Sequence, residues 1–174
     1  MQLIVEGVRS ATASRSATGL LSAYPRLLDY NYTEKFKKVK KGSKGAGHRF
    51  EAFVANKLTE TYPGFLSGVP FEYKTIYNPR ATCIPDGLLV LPRGIVIIEV
   101  KLRRSMDAWF QLRHLYGPVV QKAFGIAPRL LTIEKYPDPD VRFPEPVQQV
   151  KSFRQFLEGS YPFGALTVWN KKDL

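Results

Sequence analysis

The chain has 174 residues, of which 44% are hydrophobic and 24% charged, and this composition predicts one globular domain and excludes a disordered chain. Lys and Arg number 26 against 15 Asp and Glu, so the formal charge is +11, which indicates a polyanionic partner such as nucleic acid. The single cysteine, Cys83, excludes an internal disulfide and any cysteine-rich zinc or iron–sulfur site. We interpret it as a small buried strand residue.

Targeting and membrane signals are weak. The opening MQLIVEGVRS lacks the apolar run of a signal peptide, and no segment has the length of a membrane span. A basic chain could bind an anionic membrane surface, but no long basic amphipathic helix favours that alternative. We therefore expect a cytoplasmic, intracellular protein, or a virus-encoded one that acts in the host cell.

The first part of the chain combines apolar and basic segments. Residues 11–30 predict one or two short helices around Leu20, Leu21, Leu27 and Leu28. Residues 35–44, here called the lysine tract, contain Lys35, Lys37, Lys38, Lys40, Lys41 and Lys44. Three aromatic residues lie within or just before it: Tyr30, Tyr32 and Phe36. Lysines that bind phosphates and aromatics that stack on bases are typical of single-strand binding, whereas a solvated loop is the alternative interpretation.

The central part predicts a helix, three strands and a second helix. The first helix is expected from about His48, with Glu51 outside its apolar stripe. Strands are predicted at 70–77, 81–91 and 94–102, the last two joined by Pro92 and Arg93. The second helix should follow with Ser105 as N-cap, and Pro118 should kink it near His114.

The remaining elements complete the prediction of an α/β fold around a mixed sheet. Residues 128–136 predict a strand, 137–146 a proline-rich loop, about 147–158 a helix, and 163–169 an edge strand. We divide the single domain of residues 1–174 into a basic, helical N-terminal extension (1–46), a catalytic core (47–136) and a C-terminal part (137–174).

Three charged residues interrupt the apolar strands at 84–101. Alternation places Ile95, Ile97, Glu99 and Lys101 on one face of their strand. If Pro92 and Arg93 form the turn, paired residue numbers sum to 185, so Asp86 lies opposite Glu99; a bulge at Gly94 would shift this by one residue. Adjacent like charges are destabilising unless a cation, with Mg²⁺ or Mn²⁺ favoured, lies between them. The alternative is an exposed strand end with ion pairs to Lys101.

The letters PDG at 85–87 and EVK at 99–101, with thirteen residues from Asp86 to Glu99, resemble the PD-(D/E)XK nuclease superfamily. The resemblance implies a restriction-endonuclease-like core, ordered helix, three strands, helix and strand around a mixed central sheet, here with extra N- and C-terminal helices. It implies that Asp86, Glu99 and the backbone carbonyl of Val100 bind Mg²⁺ or Mn²⁺. Lys101 would orient or activate the attacking water.

Further motifs are similar to the RecB-like branch of that superfamily. GHRFE at 47–51 implies Glu51 as a third acidic ligand, with His48 as the other choice. QLRHLY at 111–116 resembles the branch's helical Q-L-x-x-Y motif, which makes Gln111 a catalytic candidate, although Tyr116 comes one residue late. A polar helix face and a core aromatic are the alternative. YPRLLDY at 24–30 is similar to the Cys-Pro-Arg signature of iron–sulfur members, but Tyr24 replaces the cysteine, so we expect no iron–sulfur cluster.

Together these features predict a metal-dependent deoxyribonuclease, an exonuclease or single-strand-preferring nuclease of DNA recombination, repair or replication. Single-stranded DNA or frayed ends are the expected substrate, and further partners considered are a second copy of the chain and accessory replication or recombination proteins. Flanking phosphates are assigned to Arg103, Arg104 and Arg113. A dimeric structure-selective or restriction-type endonuclease and a non-catalytic nucleic-acid-binding module are the alternatives. DNA or RNA, end or internal cleavage, and polarity stay open.

Overall fold

The computed structural model describes residues 16–26 and 43–174 of the chain. Its strands are β1 (Leu20–Pro25), β2 (Phe65–Ser67), β3 (Phe71–Thr75), β4 (Ala81–Cys83), β5 (Gly87–Leu91), β6 (Gly94–Arg103), β7 (Arg129–Tyr136), β8 (Gln148–Val150) and β9 (Phe163–Thr167). Its helical segments are α1 (Ser43–Thr61), α2 (Met106–Phe110), a π-helix (Gln111–Tyr116), α3 (Gly117–Phe124), α4 (Phe153–Glu158) and a 3-10 turn (Lys171–Asp173). None of the helices in these two ranges is both long and apolar enough to cross a membrane.

The described strands form a mixed main sheet and a smaller antiparallel sheet. The main sheet has the order β2-β5-β6-β7-β9-β8, with antiparallel pairing from β2 to β6 and parallel pairing from β6 to β8. The smaller sheet has the order β1-β3-β4. The prediction of an α/β fold with a mixed sheet is therefore confirmed.

The main sheet has a hydrophobic core on each face, and β6 contributes to both. Val96, Ile98 and Val100 pack in the core that contains α1 and α4. Ile95 and Ile97 pack in the other core, with β3, the π-helix and α3. The predicted alternation along β6 is confirmed, so the face that carries Glu99 and Lys101 lies toward the π-helix.

The β5–β6 hairpin has the predicted register. Gly87 pairs with Ile98 and Leu91 pairs with Gly94, so partner numbers sum to 185 without a bulge. However, the single strand predicted at 81–91 is wrong, because β4 belongs to the small sheet and β5 to the main sheet. Pro85 has no N–H for a ladder, and the chain crosses between the sheets at residues 84–86. Asp86 therefore lies at the crossing rather than inside a strand.

The predicted helix around Leu20 and Leu21 is wrong, because these residues begin β1. This strand pairs antiparallel with β3, from Leu20 opposite Thr75 to Pro25 opposite Phe71. Pairing with a distant strand overrides the local pattern here. Leu27 and Leu28 lie outside the described residues, so the rest of that prediction stays open.

Helix α1 begins at Ser43, about five residues before the predicted start near His48. Gly45 and Gly47 have low helix propensity, so the sequence does not indicate the first turn of the helix. The backbone of Lys44 is therefore helical. Outside the described residues lie the other lysine-tract members and their aromatic neighbours: Lys35, Lys37, Lys38, Lys40, Lys41, Tyr30, Tyr32 and Phe36.

The C-terminal part differs from the prediction in two ways. The helix expected at about 147–158 is a strand, β8, followed by the short helix α4, whose first turn is capped by the Ser152 hydroxyl accepting from the Gln155 N–H at 3.1 Å. The expected edge strand, β9, lies between β7 and β8 instead, so β8 is the edge. The strand order depends on parallel pairing between segments that are separated in the chain. Local periodicity does not encode such pairing.

A buried ion pair ties the end of β6 to β7 and leads to a stability prediction. Arg104 Nε lies 3.0 Å from Glu134 Oε2, and the Thr167 hydroxyl donates to Glu134 at 3.2 Å. The Glu134 side chain is fully buried, so Arg104→Ala leaves a buried carboxylate without its charge partner. We expect the free energy of unfolding to fall by about 3–5 kcal/mol in urea titrations. The matched control, exposed Arg103→Ala, should stay within about 0.5 kcal/mol of wild type.

Candidate active site

Glu99 and Lys101 form a partly buried ion pair near the carboxyl end of β6. Lys101 Nζ donates to Glu99 Oε1 at 2.6 Å. The Glu99 side chain is only 3% exposed, whereas 27% of Lys101 is exposed. The pair therefore has one end in the core and the other in contact with solvent.

Asp86 approaches this pair from the crossing between the two sheets. Its Oδ2 accepts from the Val100 N–H at 2.8 Å. Its backbone carbonyl accepts from the Gly68 N–H at 3.1 Å and from the Ser67 hydroxyl at 3.3 Å. These bonds fix Asp86 beside the strand that carries Glu99, as the register of the hairpin predicts.

Gly87 allows Phe65 of β2 to pack closely against the start of β5. A Cβ added to Gly87 would lie 2.5 Å from the ring of Phe65, so a side chain here would force β2 and β5 apart. The glycine of the PDG motif thus has a packing role next to Asp86.

The electrostatics at Glu99 are unusual for a carboxylate. Burial, followed by the negative charge of Asp86, raises the pKa of Glu99 to about 8, although Lys101 acts in the opposite direction. Glu99 Oε2 is buried and has no hydrogen-bond partner within the described part of the chain. An unpaired buried carboxylate oxygen is costly, so this position suits an additional cation.

Glu51 lies at the rim of the site on α1. Its Oε2 is 3.2 Å from His48 Nδ1, and the two side chains are 36% and 59% exposed. Burial acts to lower the pKa of Lys101, but attraction by Glu99, Asp86 and Glu51 outweighs it and raises that pKa. The three predicted carboxylates therefore act on the same lysine. Glu51, which is more exposed than Glu99, contacts His48.

The π-helix explains why Tyr116 comes one residue late. In this segment the Gly117 N–H bonds to the Leu112 carbonyl, five residues back, and residues five apart lie one above the other. Gln111 Nε2 accordingly donates to Tyr116 Oη at 3.3 Å. The extra residue is absorbed by the wider turn, and the glutamine and tyrosine stay together.

Tyr116 is close enough to Glu99 and Asp86 to be affected by their charges. Burial and then the negative charges of Glu99 and Asp86 raise the pKa of Tyr116, so its hydroxyl stays protonated. Gln111 Oε1 is buried without a hydrogen-bond partner among the described residues. The hydrogen bond to Tyr116 links Gln111 to the group that contains Glu99.

Pro118 lies in the first turn of α3, which directly follows the π-helix, and the predicted kink near His114 stays a prediction. Having no N–H, it cannot donate to the His114 carbonyl four residues back. That carbonyl accepts from the Ala17 N–H at 2.8 Å instead. The proline thereby joins the helix to the segment that leads into β1.

The oxygen atoms of the site are the kind of ligand that a hard divalent cation prefers, but they are few. Within residues 16–26 and 43–174, no three or more His, Cys, Asp or Glu side chains are grouped so that they could hold a metal ion. Asp86, Glu99 and the Val100 carbonyl make a smaller, all-oxygen set, with Glu51 at the rim. Such a set suits Mg²⁺ or Mn²⁺ that shares its remaining positions with a phosphate and water.

The three arginines assigned to phosphates differ in their surroundings. Arg104 is paired with buried Glu134, and Arg113 Nε lies 3.3 Å from Glu145 Oε1. Arg103 is exposed and makes no ion pair within the described residues. Of the three, Arg103 has the charge most open to a phosphate.

Tyr24 takes part in a polar cluster that the sequence does not predict. Its hydroxyl donates to Glu72, whose other oxygen lies 3.2 Å from Arg80 Nη2. The Tyr24 hydrogen bond lowers the pKa of Glu72 more than burial raises it. The alternating FEYKT of β3 signalled a strand, but nothing local indicated that Glu72 would be buried in this cluster.

Comparisons with known proteins do not identify the chain: no family model, curated protein or solved structure matches it. The site is therefore interpreted from its own geometry.

Glu99→Gln is expected to stabilise the metal-free protein at alkaline pH. Because folding raises the pKa of Glu99, its contribution to stability is full below the ordinary value of 4.5 and is lost as pH rises through about 8. The neutral amide avoids that loss, so the variant should gain a few kcal/mol over wild type at pH 9 and much less at pH 5. Urea unfolding in EDTA measures the difference, and a gain independent of pH would contradict the burial of an ionisable Glu99.

Proposed function

We propose that the chain is a Mg²⁺- or Mn²⁺-dependent DNA nuclease with a restriction-endonuclease-like core of the RecB-like kind. The observation that carries the proposal is the buried Glu99, whose Oε2 has no hydrogen-bond partner among the described residues while Asp86 and Lys101 lie beside it. A carboxylate held at a raised pKa next to a lysine and a second carboxylate is costly as a structural device and typical of a site that binds charge.

Each residue has a distinct role in this proposal. Asp86, Glu99 and the Val100 carbonyl hold the metal, and Glu51 adds charge from α1. When bound, the metal supplies Lewis-acid charge at the scissile phosphate. Lys101 holds a positive charge at its Nζ, where it orients the attacking water and offsets charge on the phosphate. Gln111 and Tyr116 provide polar groups at the wall of the site.

The proposed substrate is DNA with single-stranded or frayed ends, cleaved in recombination, repair or replication inside the cell. Support comes from the net charge of +11, which favours a polyanion, and from exposed Arg103 on the face of Glu99 and Lys101. The alternative is a binding-only module, in which the same positive charge holds DNA without a catalytic metal. It predicts DNA affinity without cleavage.

A cleavage assay separates these alternatives. Purified protein is incubated with linear and circular DNA, each single- and double-stranded, in Mg²⁺, Mn²⁺ or EDTA. We expect metal-dependent cleavage that prefers single strands and spares circles if the enzyme needs an end. Cleavage of circles with a dimeric mass in solution would favour the restriction-type alternative. Binding without cleavage in either metal would overturn the nuclease.

A further inference from the structure

A groove beside the site joins α1 to the carboxyl ends of three parallel strands. It has a volume of about 460 Å³. It is lined by the early part of α1, the ends of β6 and β7, and the segment after β9. Parallel strands bring these separate segments to one edge of the sheet, where α/β proteins commonly bind ligands.

The charged residues of the groove all have one sign. Arg49, Lys135 and Lys171 are exposed, and none of the described residues that line the groove is acidic. None of the three makes an ion pair with any other residue that the structure describes. Their charge is therefore left for an anionic ligand.

Two exposed aromatic rings accompany these cations. Trp169 is 73% exposed and Tyr136 48% exposed, and Lys135 Nζ lies 5.5 Å from the centre of the Tyr136 ring. The backbone around Trp169 is held in place, because the N–H groups of residues 169 and 170 both donate to the Asp173 carboxylate, at 2.7 and 2.6 Å. A large ring presented to solvent on a fixed loop is typical of a binding surface.

We propose that this groove binds an unpaired stretch of the DNA substrate. Bases stack on Trp169 and Tyr136 while phosphates contact Arg49, Lys135 and Lys171, which is how single strands are bound without sequence preference. The proposal rests on the nuclease function and specifies the form of its substrate. Paired bases in a closed duplex have no free faces for the two rings, so the groove selects single strands or frayed ends.

The groove adjoins the catalytic group along the chain. Phe50 precedes Glu51 on α1, and Leu102 follows Lys101 on β6. Leu102 packs on the α1 face of β6 whereas Lys101 points to the opposite face, so the groove and the catalytic group share the carboxyl end of β6 but lie on different faces of the sheet. The lysine tract is a poor occupant because its charge has the same sign as the lining.

Tryptophan fluorescence in EDTA tests the proposal without any cleavage. The chain has two tryptophans, and Trp109 is buried, with its Nε1 donating to Glu145 at 2.8 Å. We expect an unstructured thymidine oligonucleotide to quench the fluorescence of wild type and of Trp109→Phe, but not of Trp169→Phe. Thermal unfolding checks that the variants fold. If Trp109→Phe does not fold, loss of quenching in Trp169→Phe remains decisive.

The salt dependence of binding tests the cations. The triple variant Arg49→Ala, Lys135→Ala, Lys171→Ala should lower the slope of log affinity against log salt by about 2, at roughly 0.7 per single-strand phosphate. A matched triple variant of exposed cations outside the groove, Lys74→Ala, Arg93→Ala, Lys122→Ala, should leave the slope unchanged.

The outcomes distinguish this inference from the nuclease itself. The groove is not a single-strand site if Trp169→Phe is quenched as much as wild type. The same holds if closed duplex or polyglutamate quenches wild type as much as the oligonucleotide does. Neither result depends on the cleavage assay. Quenching that depends on Trp169 and the three cations supports the groove even if no cleavage is found, in which case only the nuclease function fails.

Discussion

Lys101→Ala is expected to lower the rate of phosphodiester cleavage at saturating DNA by about 10²–10³-fold, the usual cost of removing one preorganised charge from a catalytic site. Lys101 Nζ lies 2.6 Å from Glu99 Oε1, so its charge is held at the acidic group of the site. Lys101→Arg keeps the charge but not its compact position, so it should recover little of the rate.

Arg103→Ala is the matched control for that experiment. Arg103 lies two residues further along the same face of β6 and is exposed, so its loss should weaken DNA affinity while the single-turnover rate at saturation stays close to wild type. A Lys101→Ala protein that folds, binds DNA and cleaves at the wild-type rate would show that the active site lies elsewhere.

Asp86→Ala and Glu99→Ala are each expected to abolish Mn²⁺ binding in calorimetric titrations. Asp86 accepts a hydrogen bond from the N–H of Val100, the residue that follows Glu99. Each carboxylate would supply a main part of a small oxygen donor set. Glu51→Ala should weaken binding without abolishing it, because that side chain is at the exposed rim.

Glu60→Ala provides the control for these titrations. Glu60 is on the same helix as Glu51 but is 71% exposed and paired with Lys57 at 3.9 Å, so its loss should not change Mn²⁺ affinity. Wild-type binding retained in both Asp86→Ala and Glu99→Ala would mean that these carboxylates hold no metal. Their proximity would then need a structural reason.

The central part of the candidate site follows from local sequence rules. A turn at Pro92 and Arg93 sets the register of the hairpin, and the two-residue period of a strand places Glu99 and Lys101 on one face. Both rules act between residues close in the chain, so the approach of Asp86 to Glu99 could be predicted. The late position of Tyr116 and the presence of Pro118 are the local signs of an irregular helix, but they do not specify a π-helix.

Other features depend on contacts between distant segments, which no local pattern encodes. The residues of β1 form a strand because they pair with β3 some fifty positions later, and β9 lies inside the sheet because β8 adds to its outer edge. Glu99 Oε2 is buried on the face of β6 that packs against the π-helix, which comes later in the chain. The groove around Trp169 likewise exists only because α1, β6, β7 and the segment after β9 end at one edge. Charge and periodicity are properties of the sequence, but which charges are left without partners is determined when distant segments exclude water from them together.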